Sequence, residues 1–165
     1  MPSSFRENIP DILKEIEKAN PKTILDIGFG RGKYGLLVRE YYPDMQIDGL
    51  EVFNAYIGEV QRAIYGKVYQ ENIFEMTEIP AYDLYLIIDV IEHWDKEKAR
   101  ELLKKLTKHG DVLVSTPRAV GEQGAVYGNE WERHVSQWQG SDFEVYPHKH
   151  LHNELSFIYL IKKHA

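Results

Sequence analysis

At 165 residues the chain suits one domain with one core, since a chain of that size buries roughly 70% of its unfolded surface, which leaves no room for a second catalytic domain. Zero cysteines exclude disulfides, thiolate metal sites and cysteine nucleophiles, and 26 acidic against 20 basic residues leave a net charge of −6 that disfavours nucleic acid and favours a small or uncharged partner. No run of about 18 apolar residues spans a bilayer and "MPSSFRENIPD" lacks a basic-then-apolar signal pattern, so no membrane partner and a cytoplasmic location are expected.

In chain order, residues 9–19 place Ile9, Ile12, Leu13 and Ile16 at helical spacing, and "ANP" at 19–21 closes that amphipathic helix. Short apolar runs then alternate with helical ones. Strands are expected at 23–27, 46–51, 67–70, 83–88, 111–116, 143–147 and 155–162, with helices at 32–42, 54–65 and 95–108. The last helix carries Ala99, Leu102, Leu103 and Leu106 along one face and has Gly110 after its end. Such alternation implies an α/β fold, a doubly wound, mostly parallel seven-stranded sheet with helices on both faces. The nearly all-apolar "LYLII" (84–88) and "FIYLI" (157–161) suit strands covered on two sides. Segment 117–142 is rich in glycine, tryptophan and charge and has no clear period. Only about eight residues join the final two strands, too few for a parallel crossover, so the last strand should pair antiparallel.

"ILDIGFGRGKYG", Ile24 to Gly35, puts four glycines into eight positions behind an apolar run that carries Asp26. A strand that ends in glycines and enters a helix offers free backbone N–H groups and room for a ligand at the carboxyl edge of a sheet. The stretch reads as Asp26-x-Gly28-x-Gly30-x-Gly32 and also, two residues on, as Gly30-x-Gly32-x-x-Gly35, the dinucleotide fingerprint of nicotinamide-dependent oxidoreductases. A glycine turn that binds nothing is the plain alternative to both.

The acid separates the two patterns. In the dinucleotide family no acid sits inside the strand end, whereas Asp26-x-Gly28 resembles motif I of the class I S-adenosylmethionine-dependent methyltransferases. That cofactor carries an ammonium and a sulfonium, so a carboxylate beside it is favourable, and the same carboxylate would repel a pyrophosphate. The resemblance covers about residues 23–162 and is strongest at 24–35 and 83–93. It implies the class I methyltransferase fold, S-adenosylmethionine as cofactor, and methyl transfer to a small-molecule acceptor. It also implies a single domain over 1–165, made of an N-terminal helix (1–22), a cofactor-binding half (23–116), an acceptor-site insertion (117–142) and a C-terminal antiparallel strand pair (143–165). A cofactor-binding subunit that needs a partner to act is a non-enzymatic alternative for so short a chain.

Carried over residue by residue, Asp26, Gly28, Gly30 and Gly32 would cradle the cofactor, and Glu51 in "IDGLEVF" would accept hydrogen bonds from its ribose, a role the acid has in both families. Val52 and Phe53 would line the adenine, although Phe53 reads equally well as core. "QENIFEM" resembles the family's Gly-Asp-apolar stretch at the adenine edge, with Asn72 in the acid's place and Ile73 beside it. The most specific string is "YDLYLIIDVIEHWDKEKARELLKKL", close to motif IV, which puts Asp89 by the methionine part of the cofactor and Glu92 and His93 at the floor of the substrate cleft. Plainer roles exist for each: Asp89 tying down a loop, Glu92 capping a helix, His93 half-buried and satisfied. Asp89, Glu92 and His93 could instead hold a divalent ion, as some relatives with an acid-x-x-Glu-His pattern do, but these adjacent ligands are fewer than an octahedral site needs, and no metal ligand is assigned.

"STPR" after the fifth strand lacks the Asn/Asp-Pro-Pro-aromatic string of base amino-group methyltransferases. "GNEWERHVSQWQGSDFE" (128–144) resembles a segment that lies over the pocket in related small methyltransferases, so that Trp131, His134 and Trp138 would line or cover the acceptor. Aromatic faces attract a sulfonium, and a histidine can take a proton near neutral pH, which makes His93 and His134 the candidate bases. Tryptophans packed on the sheet under a surface insertion are the alternative. "HKHLH" sets His148, His150 and His152 on one strand face, read as solvated histidines, and the lysines of 96–108 alternate with acids as a solvated helix face.

Overall fold

The described residues are 3–151 and 154–164 of a computed structural model, so His152 lies outside them. The elements run α1 (Ile9–Ala19), β1 (Thr23–Ile27), α2 (Lys33–Tyr41), β2 (Gln46–Leu50), α3 (Glu59–Ile64), β3 (Val68–Tyr69), β4 (Leu84–Ile88), α4 (Lys96–Leu106), β5 (Asp111–Pro117), β6 (His148–Leu151) and β7 (Ser156–Ile161). Successive residues of a strand point to opposite faces. Leu84, Leu86 and Ile88 accordingly share an apolar cluster with Ile12 and Ile16 of α1 and Tyr34 and Val38 of α2, whereas Tyr85 and Ile87 join Ala99, Leu102, Leu103 and Leu106 of α4. Both faces are buried, which is why the strands read as unbroken apolar runs. No helix among the described residues is long and apolar enough to cross a membrane.

The strands form one sheet in the order β3-β2-β1-β4-β5-β7-β6. Pairs from β3 to β5 are parallel, β7 runs antiparallel to β5, and β6 antiparallel to β7. The chain winds outward from β1 through β2 and β3, then returns to lay β4 on the other side of β1. That reversal opens a crevice at the carboxyl ends of β1 and β4, where doubly wound sheets take their ligands.

Two expected elements differ. The helix expected at 54–65 is a 3-10 turn at Asn54–Tyr56 followed by the short α3, because Gly58 is extended there and its N–H is taken by Gln61 Oε1 at 3.0 Å. The strand expected at 143–147 starts instead at His148. Phe143 and Tyr146 are the buried positions of that stretch, three apart where a strand needs two, and the Tyr146 N–H closes a turn onto the Phe143 carbonyl.

Candidate active site

The crevice is a cleft with about 1040 Å³ of empty space, its open mouth included, lined from both sides of the switch point by Asp26, Gly28, Gly30, Glu51, Asp89 and His93 among others. Gly28 has φ 68°, and a Cβ there would sit 2.8 Å from a Val90 methyl, so only glycine fits. Above Gly30 nothing lies within 4 Å of where a Cβ would be: the loop contributes space. The glycines that line or flank the cleft do not contribute free amides. The Gly28 N–H donates to Leu50 O (2.8 Å), Gly30 N–H to Glu51 Oε2 (2.9 Å) and Gly32 N–H to Phe29 O (2.8 Å), so the expectation of open N–H groups is corrected. Gly32 is buried and starts α2 without lining the cleft.

Of the carboxyl groups lining this space, Asp26, Glu51 and Asp89 are raised by burial. Asp26 is buried and lines it, and burial, reinforced by repulsion from Glu51, pushes its carboxyl up to about 7 against the hydrogen bond from Tyr65. Glu51 is raised by burial, opposed by hydrogen bonds to Oε1 from Phe53 N–H (2.8 Å) and to Oε2 from Gly30 N–H. Asp89 is raised by burial against its bond from Ser115 Oγ (2.6 Å), and it holds a φ of 53° that asparagine and aspartate tolerate better than most residues. Close acids lifted in this way are stabilised by a cation placed among them.

The acceptor end is built by two segments lying side by side. Val135 and Ser136 both donate their N–H to Glu92 O at 3.0 Å, and Trp138 Nε1 donates to Ile91 O at 3.2 Å. Asp142 clamps the same insertion to α4 through Lys96 and Arg100, each at 2.7 Å. The result brings ligand atoms of Glu92, His93 and His134 within 4.8 Å of one another. Glu92 is 2% exposed, its Oε2 has no hydrogen-bond partner, and burial with repulsion from Asp89 pushes it up to about 8. His93 is lowered by burial, its Nδ1 3.1 Å from Arg133 O.

Several expected contacts are rearranged. Trp138 does not cover the cleft: it is fully buried under the sheet, stacked on Phe143 with ring centroids 5.3 Å apart, because its indole N–H finds Ile91 O in the core. Phe53 is not in the cleft either and packs edge-on against Tyr56. Trp131, half exposed, does line the cleft, as do Val52, Asn72 and Ile73, but the Asn72 amide is turned onto Phe74 N–H and Glu75. Glu92 and His134 stand behind His93, which alone of the three lines the cleft. His148 and His150 rest their rings against Tyr159 on the exposed face of β6.

Several partners of the site carry no signal in the sequence. Ser3 and Ser4 line the cleft, Lys33 Nζ donates to the Ser4 carbonyl and hydroxyl, and the Phe5 N–H donates to Asp89 Oδ2 at 3.2 Å. Arg31 and Glu132 also face the cleft. Tyr65 reaches Asp26 from beyond α3.

No protein-family model matches the chain. It is 29% identical over 104 residues to O-methyltransferase 7 of Dictyostelium discoideum, a match that takes in 61% of this chain and 30% of that protein, so the chain spans under a third of its curated relative. Among solved structures, the methyltransferase domain of a bacterial CtHen1 superposes with a TM-score of 0.67 at 21% identity, over 95% of this chain and 98% of that one. An O-methyltransferase-like protein of Nostoc punctiforme gives 0.70 at 17% identity, over 94% and 56%. With the strand order, the antiparallel β7 and the cleft at the switch point, the chain has the fold of the class I S-adenosylmethionine-dependent methyltransferases.

Proposed function

We propose that the chain is a methyltransferase that uses S-adenosylmethionine and a small-molecule acceptor, acting in the cytoplasm. One observation carries the reading: buried carboxyl groups surround a cleft whose glycine-loop amides are already engaged. A ligand bearing a sulfonium and an ammonium gains from those acids. A pyrophosphate would meet repulsion from Asp26 and Glu51 and no free amide at Gly28, Gly30 or Gly32, which argues against a nicotinamide dinucleotide.

In this reading residues 23–116 hold the cofactor and 117–142 shape the acceptor site. Gly28 and Gly30 give the room, Gly32 begins the helix behind them, and Asp26 and Asp89 face the methionine end. Glu51 accepts from the ribose, while Val52, Ile73 and the Asn72 backbone border the adenine. Trp131 and His93 bound the acceptor space, with the buried Glu92 carboxyl behind His93. When bound, S-adenosylmethionine would supply an activated methyl group, and these residues would align the acceptor's nucleophile opposite the sulfur leaving group. His93, which borders the cleft, takes the acceptor's proton where it must be lost, and His134, whose ring packs on that of His93, stands behind it. The net charge of −6 and the acid-lined cleft favour an uncharged or cationic small acceptor over nucleic acid.

Calorimetry with S-adenosylmethionine, S-adenosylhomocysteine and NAD(P)H tests this. Micromolar binding of the sulfur compounds and none of the nicotinamides is expected; the reverse would overturn the reading. Turnover by the purified chain alone would remove the non-catalytic-subunit alternative.

A further inference from the structure

We propose that the peptide unit joining Ser4 to Phe5 occupies the place of the cofactor's amino-acid end, that Lys33, Tyr34 and Asp89 receive that end, and that its binding expels the N-terminal strap, residues 3–5. This rests on the methyl-transfer reading above.

One peptide unit bridges two ions of opposite sign. Its oxygen, Ser4 O, accepts from Lys33 Nζ at 2.5 Å, and its N–H, that of Phe5, donates to Asp89 Oδ2 at 3.2 Å. A trans peptide points these two groups in opposite directions, so its dipole runs between the ammonium and the carboxylate. The zwitterion of an α-amino acid presents the same polarity, an anion for Lys33 and a cation for Asp89. It does so with whole charges where the peptide offers partial ones, and therefore binds these two ions more strongly.

The anion-receiving side is also incompletely served by the strap. Lys33 is half-buried, burial pulls its pKa down, and among the described residues it forms no ion pair: Asp89 and Glu7 act on it only through space. Its ammonium is met by the neutral oxygens of Ser4, the hydroxyl at 3.0 Å as well as the carbonyl. Tyr34, next in sequence, is 4% exposed and lines the cleft, yet its hydroxyl has no hydrogen-bond partner. Burial raises that phenol, and the nearby Ser4 side chain opposes the shift, so both groups converge on Ser4. A buried hydroxyl left unpaired costs free energy, and a carboxylate has lone pairs enough to satisfy Lys33 and Tyr34 together.

The strap is rooted where it can swing. The Asn8 N–H donates to Phe5 O at 3.2 Å and the Asn8 amide to Ser156 Oγ at 2.9 Å, which fixes the chain just after the strap. Phe5 itself is 39% exposed and lies outside both apolar clusters. Expulsion thus replaces the hydrogen bonds to Lys33 and Asp89 with ionic ones and leaves both clusters intact.

The test is calorimetry with S-adenosylhomocysteine, which carries the amino-acid end, beside 5′-methylthioadenosine, the same nucleoside without it. Phe5→Pro deletes the N–H that engages Asp89 and suits the φ of −57° found there. It should raise S-adenosylhomocysteine affinity about threefold or more, the worth of one hydrogen bond, with methylthioadenosine unaffected. Phe5→Ala keeps the N–H and controls for the lost ring, so it should show no such gain. Lys33→Met and Tyr34→Phe should each weaken S-adenosylhomocysteine about fivefold or more and spare methylthioadenosine. Should the proline variant lose its native circular dichroism, the wild type carries the test by NMR: hydrogen exchange at the Phe5 amide should speed up when S-adenosylhomocysteine binds and not when methylthioadenosine does. Slower exchange, or weaker binding in Phe5→Pro, would make the strap a cover over the bound cofactor and overturn the proposal. Unchanged S-adenosylhomocysteine affinity in folded Phe5→Pro, or in both Lys33→Met and Tyr34→Phe, overturns it too and leaves the cofactor reading standing. Failure of both nucleosides to bind any of these chains sinks the cofactor reading itself.

Discussion

Tyr65 donates a 2.7 Å hydrogen bond to Asp26 Oδ2, and its ring can reach there because Gly35 of α2 has no side chain: a Cβ at that glycine would lie 2.4 Å from the ring. The fourth glycine of the loop thus serves the acid and not the ligand. Gly35→Ala should therefore push Tyr65 off its site, costing about 1–3 kcal/mol of stability as overpacking does. Denaturant unfolding measures this, and an unchanged midpoint would contradict the packing argument.

The same acid predicts a pH dependence. Its carboxyl titrates near 3.8 when unfolded and about 7 in the fold, so between those values the folded chain holds the extra proton. Asp26 therefore favours the fold fully below pH 3.8, and that contribution is lost as pH rises through about 7. A bound cation restores the charged form, so cofactor binding should expel the proton. Affinity for S-adenosylhomocysteine is expected to rise about tenfold from pH 5.5 to 7, where linkage allows up to a factor of ten per unit. Asp26→Asn should flatten the profile and Asp26→Ala should weaken binding sharply with the fold retained. Calorimetry across that range decides it; a flat wild-type curve counts against the role given to Asp26.

What could be read in advance followed from local chemistry. The strands β1 to β5 and β7, the helix α4 with its apolar face, and the acids Asp26, Glu51 and Asp89 all announce themselves through periodicity or motif spacing. The misses are tertiary. Phe143 and Tyr146 look like strand residues until their burial at spacing three is known, and Trp138 looks like a pocket lid until its N–H finds Ile91 O. Phe5 meeting Asp89 joins residues 84 apart, with no periodicity to betray it.

The two tryptophans of the insertion should separate cleanly. Trp138 is fully buried and Trp131 is 50% exposed. Trp138→Ala is expected to cost about 3–5 kcal/mol of stability by leaving a cavity. Trp131→Ala should move stability by less than about 0.5 kcal/mol yet lower kcat/KM for the acceptor about fivefold, the worth of one aromatic contact. Thermal unfolding beside steady-state kinetics makes the comparison, and equal destabilisation of both variants would refute it.

Glu51 and Asp26 should divide the cofactor between them. Glu51 Oε2 holds Gly30 N–H and Oε1 holds Phe53 N–H, so the carboxylate both shapes the loop and presents its remaining lone pairs to the cleft. Glu51→Ala leaves both amides without this acceptor, for about 1–2 kcal/mol of lost stability, and removes the partner proposed for the ribose hydroxyls. 5′-Methylthioadenosine keeps the nucleoside and lacks the amino-acid tail, so it isolates the two ends. Its affinity should fall more than about tenfold in Glu51→Ala, the loss of a charge-assisted hydrogen bond, and stay near wild type in Asp26→Asn. S-adenosylhomocysteine, which has both ends, should lose affinity in each. If methylthioadenosine binding responds to Asp26→Asn and ignores Glu51→Ala, the ligand lies in the cleft the other way round.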